Sequence, residues 1–261
     1  MRLLFLGDIV GRPGRRALAA RLDGLRRELA LDVIVANGEN ASGGLGLTAK
    51  NARELHGAGV DVLTSGNHIW KMKDVHALLD GEPWLLRPAN YPPGAPGRGA
   101  AVYDIGPGLP RVAVINLIGR TYMDAVDCPF RAAQESLRNL PEKAVVLVDF
   151  HAEATSEKRA MAVMLQGRVS AVIGTHTHVQ TNDARILPGG TGFLTDAGMC
   201  GPMDSVLGMD QQIILNRFLT GLPVKFELAS GPVMLNGAVL EIDDAGRCTG
   251  ISVWREESPT A

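Results

Sequence analysis

The chain has 261 residues, 46% of them apolar and 21% charged, with a formal net charge of −2. That length suits a single large α/β domain over residues 1–261 with a sizeable core, and that balance excludes a disordered or fibrous chain. Near-neutrality leaves no electrostatic footprint for a long nucleic-acid duplex or an anionic membrane, while a small anion needs only local positive charge.

Short aliphatic or β-branched runs recur along the chain, each ending in Gly, Asn or Asp and followed by a polar segment of helical spacing. Strands are expected at Leu3–Leu6, Asp32–Ala36, Val60–Thr64, Val112–Leu117, Ala144–Val148, Val169–Ile173 and Thr191–Leu194. Helices are expected between them at Gly14–Ala30, Thr48–His56, Lys73–Asp80, Arg131–Leu140, Ser156–Leu165 and Met209–Phe218. Runs with polar residues only at their ends suit strands covered on both faces, and the alternation is that of an α/β fold. Near the C-terminus, Val233–Ile242 and Cys248–Trp254 flank the turn Asp243-Asp244-Ala245-Gly246 and read as a hairpin, so the sheet is expected to be mixed. The Pro/Gly-rich stretch Pro88–Gly99 reads as a surface loop, because no change of composition follows it.

Cys128, Cys200 and Cys248 are odd in number, far apart and without a C-x-x-C pair, which suits reduced thiols. The opening run Met1–Leu6 stops at Gly7-Asp8, too short for a signal-peptide core, and no segment approaches the roughly 18 apolar residues of a membrane span. A cytoplasmic protein is the expectation. The sequence is silent on oligomeric state, so a homo-oligomer stays open.

Function is legible at the strand ends. Asp8 follows the first strand, Glu39-Asn40 the second, Asn67-His68 the third, His151 the run that ends near Asp149, and His176 with His178 the next. In open α/β sheets, ligands bind where the carboxyl ends of strands bring loops together. Each group has a plainer reading when taken alone: a turn or helix cap for Asp8, a solvated turn for Glu39-Asn40, a cap for Asn67-His68, and a satisfied strand-end polar residue for His151. His176 and His178 carry more, since imidazoles at i and i+2 of an extended backbone face one side. Four of the six histidines fall in these motifs, while His56 and His76 lie in helix-like segments and read as packing or surface.

Asp8, Glu39, Asn40, Asn67, His151, His176 and His178 are too many ligands for one tetrahedral zinc and suit two adjacent cations that share a carboxylate. Nitrogen and oxygen donors without thiolate favour manganese, iron or zinc. Such a pair suits attack on phosphorus by a bridging hydroxide, so hydrolysis of a phosphate ester follows. His68, beside Asn67 and not needed as a ligand, is the candidate general acid for the leaving alkoxide.

The ordered set Gly7-Asp8-Ile9-Val10-Gly11, Gly38-Glu39-Asn40, Gly66-Asn67-His68-Ile69-Trp70, His151-Ala152-Glu153 and Gly174-Thr175-His176-Thr177-His178 resembles the calcineurin-like metallophosphoesterases, and within them the bacterial YmdB-type branch. The similarity extends through Asn116-Leu117-Ile118-Gly119-Arg120 and Thr195-Asp196-Ala197-Gly198-Met199. Val10 stands where most of the superfamily has a His, and Glu39-Asn40 replaces the usual bridging Asp; the YmdB-type branch shares both changes. The resemblance implies a four-layer αββα sandwich with mixed sheets. It implies Asp8, Asn40 and His178 at one metal, Asn67, His151 and His176 at the other, and Glu39 between them. It also implies hydrolysis of small phosphodiesters such as 2',3'-cyclic nucleotides.

Two further classes compete. A nucleotide- or RNA-sensing regulator with weak hydrolysis would bind without turnover, and a dinuclear hydrolase of carboxylic esters or carbon–nitrogen bonds would use the same ions on carbonyl carbon. The glycines of Gly43-Gly44-Leu45-Gly46 read as a turn and are left out of the site, since neither a Walker motif nor G-x-G-x-x-G is present. Arg120-Thr121-Tyr122 is open between a substrate contact and a surface loop.

Overall fold

The computed structural model describes residues 1–141 and 144–258. The chain opens with β1 (Arg2–Leu6), the two-residue β2 (Asp8–Ile9), α1 (Gly11–Glu28), β3 (Val33–Asn37), α2 (Ala49–Gly57), β4 (Val62–Thr64) and α3 (Val75–Gly81). It continues through β5 (Ala100–Tyr103), β6 (Val112–Ile118), α4 (Pro129–Arg138), β7 (Val145–His151), α5 (Thr155–Leu165) and β8 (Ala171–Thr175). The last part holds β9 (Arg185–Leu187), β10 (Thr191–Leu194), β11 (Met199–Pro202), α6 (Gln211–Thr220), β12 (Val233–Ile242) and β13 (Cys248–Ser258).

Helix ends follow local chemistry. Thr48 caps α2 by accepting from the Asn51 amide, and Pro129 opens α4 where a missing N–H costs nothing. Asp210 caps α6 by accepting from Gln212 and Ile213, and Gly221 closes it at φ +70°.

One sheet runs β2-β11-β12-β1-β3-β4, with β13 paired to β12. β1, β3 and β4 are parallel, and β12 is antiparallel to β1. The second sheet runs β5-β6-β7-β8-β10-β9, parallel through β6, β7, β8 and β10 and antiparallel at both edges. Three apolar clusters make this a four-layer αββα sandwich. Leu4, Leu6 and Ile34 pack against Leu18 and Leu22 of α1 on one outside. Phe5, Val35, Val114, Leu147 and Ile173 fill the space between the sheets. Val148 and Phe150 pack against Met161 and Leu165 of α5 on the other outside. Alternate residues of β7 thus face two different cores, which is why the strand reads as a continuous apolar run. Each such Val, Leu or Phe buried in full contributes about 1.5–3 kcal/mol.

The main strands and all six helices fall where the sequence places them. β2, β5, β9 and β11 go beyond the expectation; they are two to four residues long and owe their pairing to neighbours rather than to periodicity. Two placements need correction: β7 runs on through Asp149 to His151, so His151 ends the strand instead of following it, and His176 and His178 lie beyond β8 at positive φ instead of on an extended backbone. The polar end of β7 is possible because the layer between the sheets changes there from apolar to hydrogen-bonded side chains. Among the described residues, no helix is long and apolar enough to cross a membrane.

Candidate metal centre

The carboxyl ends of β3, β4, β7 and β8 open at one edge of the sandwich, and Asp8 reaches it from β2. Asp8, Glu39 and His151 are fully buried, and Asn40 nearly so. Gly66 has no room for a side chain: a Cβ there would stand 2.3 Å from both Glu39 Oε2 and His151 Nε2. The loop after β4 is therefore glycine where it closes over these groups. Asn116 of β6 fixes that loop by accepting from the Ser65 amide and donating to the Ser65 carbonyl.

Glu39, His151 and His176 each bring a ligand atom within 4.8 Å of the others. His151 Nε2 lies 3.2 Å from Glu39 Oε1, 3.1 Å from Asn67 Oδ1 and 3.1 Å from His176 Nδ1. A second group surrounds Asp8: its Oδ1 lies 3.8 Å from His178 Nε2, which is 3.2 Å from Asn40 Nδ2. Glu39 Oε1 stands between the groups, 2.9 Å from Asn40 Nδ2. His68 approaches from the side, its Nδ1 2.8 Å from Asn40 Oδ1 and 3.4 Å from Glu39 Oε1. All eight residues singled out in the sequence thus meet at one place.

The three inner histidines share a pattern. Each ties one ring nitrogen to an oxygen, His151 to Thr175 Oγ1, His176 to Glu153 Oε2 and His178 to the Leu207 carbonyl. The other nitrogen of each is turned to the centre. Outer partners of this kind fix the tautomer that a metal-ligating imidazole needs.

Charge in the cluster is out of balance. Burial raises the pKa of Asp8. Burial acts on Glu39 in the same direction, but the charge and hydrogen bonds of His151 and His68 outweigh it and hold this carboxyl well below the usual range. Burial lowers His176 to about 3. Burial also works against a charged His151, yet Glu39, Asp8 and Asp149 together raise it to about 9. Asp149 is pushed up to about 6 by burial.

These features fit a bound cation. Asp8 Oδ1 is buried and accepts no hydrogen bond among the described residues, and facing imidazole nitrogens 3.1 Å apart leave a lone pair without a donor once His151 is neutral. The donor set is nitrogen and oxygen throughout, as hard and borderline divalent ions prefer.

Glu39, Asn40, His68, His176 and His178 line a cavity of about 390 Å³ whose other wall is apolar, formed by Leu45, Leu207, Met209, Ile214, Phe218 and Phe226. A larger cavity of about 540 Å³, lined by Arg87, Tyr91 and Arg131, lies apart from these groups, so volume alone does not locate the chemistry. Gly44 and Leu45, set aside as a turn, do border the site. Arg120-Thr121-Tyr122 does not line it: Tyr122 is 90% exposed, and the Arg120 and Thr121 amides donate to Glu157. His56 stacks on Trp84 and His76 meets the edge of Trp70, both as packing residues.

The profile of YmdB-like proteins matches residues 4–253. The chain belongs to the YmdB-like family. It is 46% identical over 245 residues, 94% of its own length and 92% of the relative's, to the 2',3'-cyclic-nucleotide 2'-phosphodiesterase of Bacillus subtilis. Among solved structures, a protein of Thermus thermophilus superposes with a TM-score of 0.93 at 44% identity, covering 99% of this chain and 100% of that one. A phosphatase of Mycoplasma pneumoniae superposes with a TM-score of 0.92 at 31% identity, covering 99% and 94%. YmdB-like membership and these relatives' names agree with the expectation of a phosphoric-diester hydrolase.

Sequence reasoning left some of the site unassigned. Asn37, Asp149 and Thr175 stand behind His151, and Lys158 with Asp196 stands behind the loop of His176 and His178. Asp149 carried one usable signal, a carboxylate inside the otherwise apolar run Val145–Phe150. Lys158 carried none, since a lysine in a helix reads as surface.

Proposed function

We propose that this YmdB-like protein hydrolyses small phosphodiesters of the 2',3'-cyclic-nucleotide class at a centre of two cations, manganese, iron or zinc. In this reading Asp8, Asn40 and His178 hold one ion, Asn67, His151 and His176 the other, and Glu39 both. The observation that carries it is the position of Glu39 Oε1, within 3.2 Å of His151 Nε2 on one side and 2.9 Å from Asn40 on the other. When bound, the cations would neutralise phosphoryl charge and acidify water, the chemistry that a phosphodiester needs.

The chain's own groups do the rest. His68 Nδ1 lies 2.8 Å from Asn40 Oδ1, and its Nε2 is left for the cavity. His68 lines the cavity with its ring 3.4 Å from Glu39 Oε1, and from there it is placed to hand a proton to the leaving oxygen. The apolar wall suits the organic part of a diester. The relative from Bacillus subtilis supports a cyclic nucleotide as that diester.

The test is hydrolysis of 2',3'-cyclic AMP by the purified chain, then after chelation and after readdition of manganese. Turnover that stops with the chelator and returns with the metal is expected. No turnover by protein shown to hold two metals would overturn the reading in favour of a different ester or a sensing role.

A further inference from the structure

Leu147, Ile173 and Val35 belong to the apolar layer between the sheets, and two residues further along the same three strands stand Asp149, Thr175 and Asn37. Successive odd positions face the same side of a strand, so these three cap the apolar layer directly behind His151. All four side chains are fully buried. A carboxylate in such a place is costly unless every partner is committed, and here the commitments can be counted.

Asn37 Oδ1 accepts from the Glu39 amide at 3.1 Å, which settles the end of the amide that carries nitrogen. Its two hydrogens go to the Ser65 carbonyl at 3.2 Å and to Asp149 Oδ2 at 3.0 Å. None remains for His151 Nδ1, 3.4 Å away. Thr175 has a single hydroxyl hydrogen, and the 2.7 Å contact to Asp149 Oδ1 takes it. Toward His151 Nδ1, at 3.0 Å, Thr175 Oγ1 is therefore the acceptor.

We propose that Asp149 and Thr175 are positioning residues for His151: the carboxylate orients the hydroxyl, the hydroxyl holds Nδ1–H, and Nε2 is thereby kept for the centre. The inference rests on the reading of His151 as a metal ligand. The direction of the chain is set by Asp149, which as a carboxylate can only accept. Asn37 locks Asp149 from its other oxygen and reads the backbone of Glu39, so the same network aligns the residue that stands between the two groups.

The experiment measures the affinity of the chelator-stripped full chain for zinc alone, by competition with a chelating dye, and the ring 15N shifts of His151 in the zinc-loaded protein. Thr175→Val removes the acceptor at nearly constant volume and is expected to weaken zinc by about 10–100-fold, the range for partners of metal-bound imidazoles. Thr175→Ser restores it. Asp149→Asn carries the test independently of how Thr175→Val folds. Its amide can donate to Oγ1 and turn the hydroxyl hydrogen to Nδ1, which opposes the Nδ1–H ring that zinc at Nε2 requires, so zinc affinity is expected to fall and the 15N shifts of the remaining complex to change. Wild-type zinc affinity and an unchanged Nδ1–H tautomer in Thr175→Val and Asp149→Asn would overturn the proposal. If His151→Ala itself leaves zinc affinity unchanged, the ligand reading fails. Loss in His151→Ala beside normal binding in Thr175→Val and Asp149→Asn defeats the positioning role alone.

Discussion

His151 closes a strand buried between two sheets, whereas His176 and His178 ride a short loop in which both take positive φ, +99° and +63°. Backbone of that kind costs of order 1–3 kcal/mol per non-glycine residue and persists only where its surroundings over-determine it. The His151 backbone needs no such anchor, because register with Thr175 and Ile118 already fixes its place. The loop has one. Asp196 Oδ2 accepts from the Thr177 amide at 3.1 Å, the Thr177 hydroxyl at 2.7 Å and Lys158 Nζ at 2.7 Å, and Oδ1 accepts from the Gly198 amide at 2.8 Å. The His176 amide adds a bond to Asp8 Oδ2 at 3.0 Å. A candidate ligand on a sheet takes its backbone placement from the fold, and one on a strained loop needs a dedicated polar anchor.

The sharpest way to break that contrast is to remove the anchor. Lys158 and Asp196 are 1% and 0% exposed, so Asp196→Ala leaves a buried ammonium without its counter-charge. Urea unfolding is expected to show a loss of about 3–5 kcal/mol. Lys158→Met should cost less, because Asp196 keeps three other donors and the methionine fills the space. Equal and small losses in both variants would mean that the pair does not hold the loop.

Glu39 Oε1 lies 3.2 Å from His151 Nε2 and 2.9 Å from Asn40 Nδ2, so it tests whether the two groups act together. Glu39→Gln is expected to weaken both ions in parallel, by more than the roughly 10–100-fold typical of outer partners. Titration of the stripped variant with manganese, read as two sites, checks it. Selective loss of one ion with the other bound normally would assign Glu39 to a single site.

The sequence reveals these two regions to different degrees, for a physical reason. Strand-end motifs are legible because a buried parallel strand is an unbroken apolar run, and the polar residue that stops it marks the sheet's carboxyl edge. Asp8, Glu39, Asn67, His151 and His176 were found by that rule. The anchors were not. Lys158 is buried only because α5 packs its stem over Gly174, where a Cβ would stand 2.9 Å from the lysine Cδ, and no local pattern announces such a contact. Asp196 was visible as part of a motif but without a role, since its partners lie 19 and 38 residues away. β9 and β11 escaped similarly, being strands only because β10 and β12 offer them an edge.

The finest test of the contrast is Thr177→Val. The β-branched shape is kept, the hydroxyl bond to Asp196 is lost, and Lys158, the Thr177 amide and Gly198 still satisfy the carboxylate. A hydrogen bond to a charged group is worth about 1.5–3 kcal/mol, so the variant should fall below Asp196→Ala in effect. The informative readout is cation affinity set beside stability. If the anchor holds the positive-φ loop, more of the metal-free population leaves the binding conformation and the two quantities decline together. Stability that falls while manganese affinity stays at the wild-type level would show that His176 and His178 reach the centre without help. The strained loop would then owe its shape to the ligands themselves.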